Sequence, residues 1–85
     1  MPAKPEYLKF IEVESRSIKT KTWEVRSFHS NIKLGEIQWW PAWRQYVLFP
    51  ENQTLWNHSC LSEIAEFMQR KMIEHRAAKR REANV

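Results

Sequence analysis

At 85 residues, with 42% hydrophobic and 28% charged side chains, the chain is sized and composed as one small globular domain rather than a disordered segment. It has no aspartate, a single glycine (Gly35) and a single cysteine (Cys60), which excludes Asp-based triads and EF-hand loops, a Gly-rich phosphate cradle and an internal disulfide. The net charge of +4 is concentrated late: residues 70 to 81 hold six Lys/Arg against Glu74 alone, while the rest of the chain holds eight Lys/Arg and nine Glu.

Residues 1–5, MPAKP, carry two prolines and read as a flexible leader without the apolar region of a signal peptide. Tyr7 to Glu14 alternates imperfectly as a first strand, with Leu8 and Phe10 on one side and Tyr7, Ile11 and Val13 on the other. Thr22 to Phe28 is a clearer strand, setting Trp23 and Val25 against Glu24 and Arg26. The stretch Leu34 to Pro50, LGEIQWWPAWRQYVLFP, holds three of the five tryptophans. In it Ile37 and Trp39 oppose Glu36 and Gln38, Pro41 ends the ladder by removing a donor, and alternation resumes from Arg44 to Phe49. Thr54 to Trp56 is either a short last strand or the approach to a helix. The short connections favour an antiparallel meander, because a parallel pair needs a longer crossover.

From about Ser59 the period lengthens. Leu61, Ile64, Ala65, Met68, Met72 and His75 recur at the spacing of one helix face, with Phe67 widening the stripe. Ser59 is a good N-cap and Asn57 competes with it. Glu63 and Glu66 come early and the Lys/Arg cluster late, as the helix dipole favours. The expected fold is therefore α+β, an antiparallel sheet of about three to five strands with one C-terminal helix on one face. It divides into the leader, a domain over 6–76 and a basic helix end or tail over 77–85. The buried sheet face is expected to carry Trp23, Val25, Ile37, Trp39, Val47 and Phe49. The other is expected to show Glu24, Arg26, Gln38, Trp40, Arg44 and Tyr46.

The pattern Gly35, Ile37, Trp39, Trp43, Arg44, Tyr46, Phe49, Pro50, followed by Cys60, Leu61, Ile64 and Phe67, resembles a group of short proteins encoded in phages and other mobile elements of bacteria. They share an L-G-x-I-x-W…W-R-x-Y core and a C-L-x-x-I-x-x-F helix start. The resemblance spans Trp23 to about Phe67 and leaves the basic tail outside. It implies a mobile-element setting and a β-then-α order.

Chemistry is sparse. His29, His58, His75 and Cys60 lack zinc-ligand spacing, and Cys60 reads as a small residue packed at the helix start rather than a thiol nucleophile beside His58. No enzyme activity, metal or cofactor is expected. Two features suit binding. Arg70, Lys71, Arg76, Lys79, Arg80 and Arg81 offer phosphate contacts, with Arg44 as an additional one. Trp40, Tyr46, Arg44 and Arg26 offer an aromatic and cationic sheet face, suited to bases or to a protein partner, including a second copy of the chain. The expectation is a cytoplasmic, non-enzymatic nucleic-acid-binding accessory protein of a mobile element. The alternative is a protein-interaction module, such as a phage inhibitor of a host factor. No stretch approaches the roughly 20 apolar residues of a membrane span.

Overall fold

The computed structural model describes residues 7–15 and 17–83, with side chains given through Arg80. The expected leader lies outside the described residues. Four strands, β1 (Leu8–Val13), β2 (Thr22–Ser27), β3 (Lys33–Trp40) and β4 (Gln45–Pro50), are followed by one helix, α1 (His58–Ala83). The strands form a single antiparallel sheet in the order β1-β2-β3-β4, the meander that short connections require.

Residues opposite one another in an antiparallel pair share a face, so the register assigns the faces. Phe10 pairs with Val25, Trp23 with Ile37, Ile37 with Leu48 and Trp39 with Tyr46. These residues look toward α1. Val25 and Ile37 are fully buried, and Leu8, Trp23, Tyr46, Ile64 and Phe67 complete the core. Complete burial of side chains of this size contributes on the order of 1.5–3 kcal/mol each, enough to fix which face of β2 and β3 turns inward. Phe10 stacks on Phe67 at 4.0 Å between ring centroids, and Trp23 meets Phe67 edge-on at 5.1 Å. A bulge between Val25 and Arg26 inserts Leu34 into β3, and Leu34 packs against the core.

The facing of β4 differs from the expectation. Tyr46 and Leu48 point to the helix, whereas Val47 and Phe49 pair with Gln38 and Glu36 on the outer face. The reason is the turn at residues 41–44. It closes with the Trp43 N–H donating to the Trp40 carbonyl and the Arg44 N–H donating to the Pro41 carbonyl, each at 3.2 Å. Arg44 adopts φ 53°, so β4 starts at Gln45, one residue after the expected start, with Gln45 opposite Trp40. Both parities of β4 are apolar, so alternation alone carried no preference.

Residues 54–56 form the approach to the helix and not a strand. The Thr54 hydroxyl donates to the Glu51 carbonyl at 2.8 Å and accepts the Trp56 indole N–H at 2.9 Å. Asn57 is the N-cap: its side-chain oxygen accepts the Cys60 N–H at 2.9 Å, and its carbonyl accepts the first helical bond, from Leu61. The buried stripe of α1 is Ile64, Phe67, Met68, Met72 and His75, rotated from the expected one, so that Leu61 and Ala65 are exposed. Glu63 lies beyond the first turn, where its carboxylate accepts the Tyr7 N–H at 3.2 and 3.3 Å. Among the described residues no helix is long and apolar enough to cross a membrane.

Candidate functional site

The basic run of α1 divides into engaged and free cations. Lys71 belongs to the core margin. Its ammonium lies 5.4 Å from the Trp23 ring and 5.3 Å from the Phe67 ring, and pairs with Glu74 at 3.0 Å. Arg70 is exposed, with its guanidinium 5.7 Å from the Phe67 ring centre. From Arg76 to Arg80 every helix residue is exposed, and Arg76, Lys79 and Arg80 have no ion pair seen among the described residues. Their i, i+3, i+4 spacing places them side by side. Arg70, six residues before Arg76, lies roughly 120° around the helix from it. Arg81 lies within the helix, but its side chain is outside the described ones. Among the described side chains, the phosphate-contact set expected along residues 70–81 thus presents one cluster of three, with Arg70 on another side.

The expected sheet-face group also separates. Trp40 is on the outer face as expected, 41% exposed. Tyr46 is buried in the core, which removes it from any surface. Its ring meets Trp23 and Trp39 edge-on at 5.3 Å each, and its hydroxyl accepts the Lys21 N–H at 3.3 Å. Arg26 is on the outer face but committed, donating to the Asn31 carbonyl at 2.9 Å and pairing with Glu24 at 3.2 Å. Arg44 is exposed in the β3–β4 turn, not in a strand. An arginine at φ 53° occupies a conformation that glycine or asparagine adopts at lower cost, so folding alone gives little reason for arginine there.

Tyr46's place in the aromatic group is taken by residues that sequence reasoning had put elsewhere. Trp43 is 66% exposed and its ring lies 6.4 Å from that of Trp40, while the ring of Phe49, 40% exposed, lies 6.1 Å from that of Trp40. Trp43 entered the sequence reading only as part of the resemblance pattern. Phe49 was assigned to the opposite face because of the β4 shift. Next to this cluster the outer face becomes ionic: Lys33 bridges Glu36 at 3.1 Å, Glu51 at 3.4 Å and Glu24 at 3.7 Å. The hydrogen bond between them, more than simple charge proximity, raises the Lys33 pKa and holds the Glu36 carboxyl below its ordinary value.

The aromatic turn and the basic helix end occupy the same end of the molecule. Trp39 packs against His75 at 4.4 Å between centroids, with the ring planes tilted by 34°. An open cleft of about 930 Å³ runs from the outer face over the end of β3 to the late turns of α1. Described residues of the β1–β2 connection, Lys19 and Thr20 among them, form one wall. Trp39, Trp40 and Pro41 form another, and His75, Ala78 and Lys79 close it from the helix. This cleft was not legible in the sequence, because it depends on a loop and a helix end more than 50 residues apart meeting at one strand terminus. Among the described residues there is no group of three or more His, Cys or Glu able to hold a metal ion.

Comparison of the chain with protein-family models, with curated proteins and with solved structures finds no match.

Proposed function

We propose that this chain is a non-enzymatic nucleic-acid-binding accessory protein, with the phage or mobile-element setting that its sequence pattern suggests. The observation that carries the reading is the cluster Arg76, Lys79 and Arg80, exposed on the late turns of the helix. Cations that serve only to complement a helix dipole need no such extension, and here no carboxylate pairs with them among the described residues. A helix face with three adjacent cations suits a row of phosphates and reads little sequence on its own. Arg44, presented by the turn at the same end, adds a further contact.

The test is fluorescence anisotropy with labelled DNA and RNA at about 50 and about 200 mM salt, where phosphate contacts reveal themselves. Three such contacts to a duplex predict a loss of affinity of roughly 40-fold over that range. The triple variant Arg76→Ala, Lys79→Ala, Arg80→Ala should bind weakly and respond little to salt. An intact chain that binds no nucleic acid at the lower salt would remove the proposal.

A second reading draws on a different observation. Trp40, Trp43 and Phe49 form an exposed aromatic cluster on the sheet face opposite the helix. Aromatics grouped with an arginine are typical of protein-interaction hot spots, so a host protein or a second copy is the alternative partner. Under this reading affinity depends on Trp40 and Trp43 and survives loss of the basic cluster.

A further inference from the structure

We infer that the cleft at the end of β3 is a binding site for single-stranded nucleic acid, with Trp40 as the base-stacking surface and Lys19 and Lys79 as phosphate contacts from opposite walls. This rests on the nucleic-acid reading above and names the form that is bound. The cleft combines three properties that a single-strand site requires. It has an accessible ring, since Trp40 keeps 41% of its surface exposed. It has cations on two separate elements, Lys19 in the β1–β2 connection and Lys79 on α1, so a strand lying between them meets positive charge from both sides. It has uncharged hydrogen-bonding groups, Thr20 and Gln38, in its lining. Two carboxylates also line it: Glu36, whose charge is countered by Lys33 at 3.1 Å, and Glu14 at the exposed edge.

The volume of about 930 Å³ falls at the upper end of the roughly 300–1,000 Å³ range of sites that enclose an organic ligand. That is room for a splayed nucleotide with its phosphates. A duplex keeps its base faces stacked inside, leaving Trp40 nothing to stack on. A single strand presents a π face at every base, which makes such stacking tolerant of sequence. The free cluster Arg76, Lys79 and Arg80 continues the positive charge out of the cleft along the helix. The arrangement therefore predicts a preference for strand form, which phosphate contact alone does not provide.

The experiment compares a labelled oligothymidylate of about 12 nucleotides, within the roughly 4–16 that a small single-strand-binding domain covers, with a duplex of the same length. The intact chain, Trp40→Ala and Lys19→Ala are each titrated by anisotropy at about 50 mM salt. The single strand should bind at least about tenfold more tightly than the duplex. Trp40→Ala should weaken single-strand binding about tenfold, a change typical of one lost base stack, and leave duplex binding unchanged. Circular dichroism and melting verify the fold of each variant. Lys19, an exposed loop residue, carries the test if Trp40→Ala does not fold. Equal affinity for both forms overturns the cleft assignment and leaves the phosphate reading intact. No binding of either form overturns both. A single-strand preference untouched by both substitutions also overturns the cleft. So does a Trp40→Ala variant whose only change, by light scattering, is the loss of a dimer, which would assign the aromatic face to pairing of copies.

Discussion

Gly35 lies where β4 approaches β3 too closely for any side chain. A Cβ built there would stand 2.7 Å from the Phe49 carbonyl oxygen and 3.2 Å from both Leu48 Cδ1 and Pro50 Cα. The first of these is backbone in a paired strand, so it cannot rotate aside. Its φ is not positive, so the requirement is for space and not for a left-handed backbone. Gly35→Ala should therefore push β4 outward and cost about 1–3 kcal/mol, the usual range for overpacking. For a domain of this size that is a fall in Tm of about 4–8 °C per kcal/mol, to be read by thermal melting. A variant melting with the parent would show that the strands part without strain. That a lone glycine inside a strand marks a close approach was legible in the sequence, but its partner was not. The same limit explains Tyr46. In Gln45–Pro50 both sets of alternate residues are apolar, and only the one-residue offset at Arg44 decides that Tyr46 turns inward and Phe49 outward.

At the scale of elements, β2, β3 and the helix were readable because each has one dominant period. Trp23 and Val25 against Glu24 and Arg26, or Ile64, Phe67, Met68 and Met72 at helical spacing, admit few alternatives. The exact rotation of α1 was harder to read: Leu61 and Ala65 extend the same stripe, but lie away from the sheet. The helix is 26 residues, about 39 Å at 1.5 Å per residue, and its packing ends at His75 against Trp39. Two truncations separate its roles. A chain ending at Ala78 keeps a turn beyond His75 and should melt within about 2 °C of the parent, since Lys79 and Arg80, the removed residues whose side chains are described, are both exposed. A chain ending at Gln69 loses the Lys71 stem, Met72 and His75. Removing that much packing should cost about 3–5 kcal/mol, or a Tm lower by about 15 °C or more. The two melting curves decide the point: a large loss on removing only residues 79–85 would mean that the basic end is part of the folding unit.

Across the whole molecule, charge is divided by role. The sheet's outer face binds its own charges together through Lys33, Glu24, Glu36, Glu51 and Arg26, whereas Arg76, Lys79 and Arg80 are left open. This division has a pH signature. Glu36 is held below its ordinary pKa, first by the hydrogen bond from Lys33 and against the effect of burial. Its stabilising contribution is thus present above the unfolded carboxyl value of about 4.3 and is lost as pH falls through the lower folded value. Lys33 is raised, first by the hydrogen bond to Glu36. Its contribution is complete below the unfolded value of about 10.4 and is lost as pH rises through the higher folded one. Melting temperature followed from about pH 3 to about pH 11 should show a plateau with an acid and an alkaline flank. Glu36→Gln removes the titrating carboxyl and leaves an amide in its place, so its acid flank should be shallower than the parent's. Its alkaline flank should soften less, because Glu51 and Glu24 still face Lys33 at 3.4 and 3.7 Å. Parallel acid flanks in the two proteins would show that the pair contributes nothing to stability.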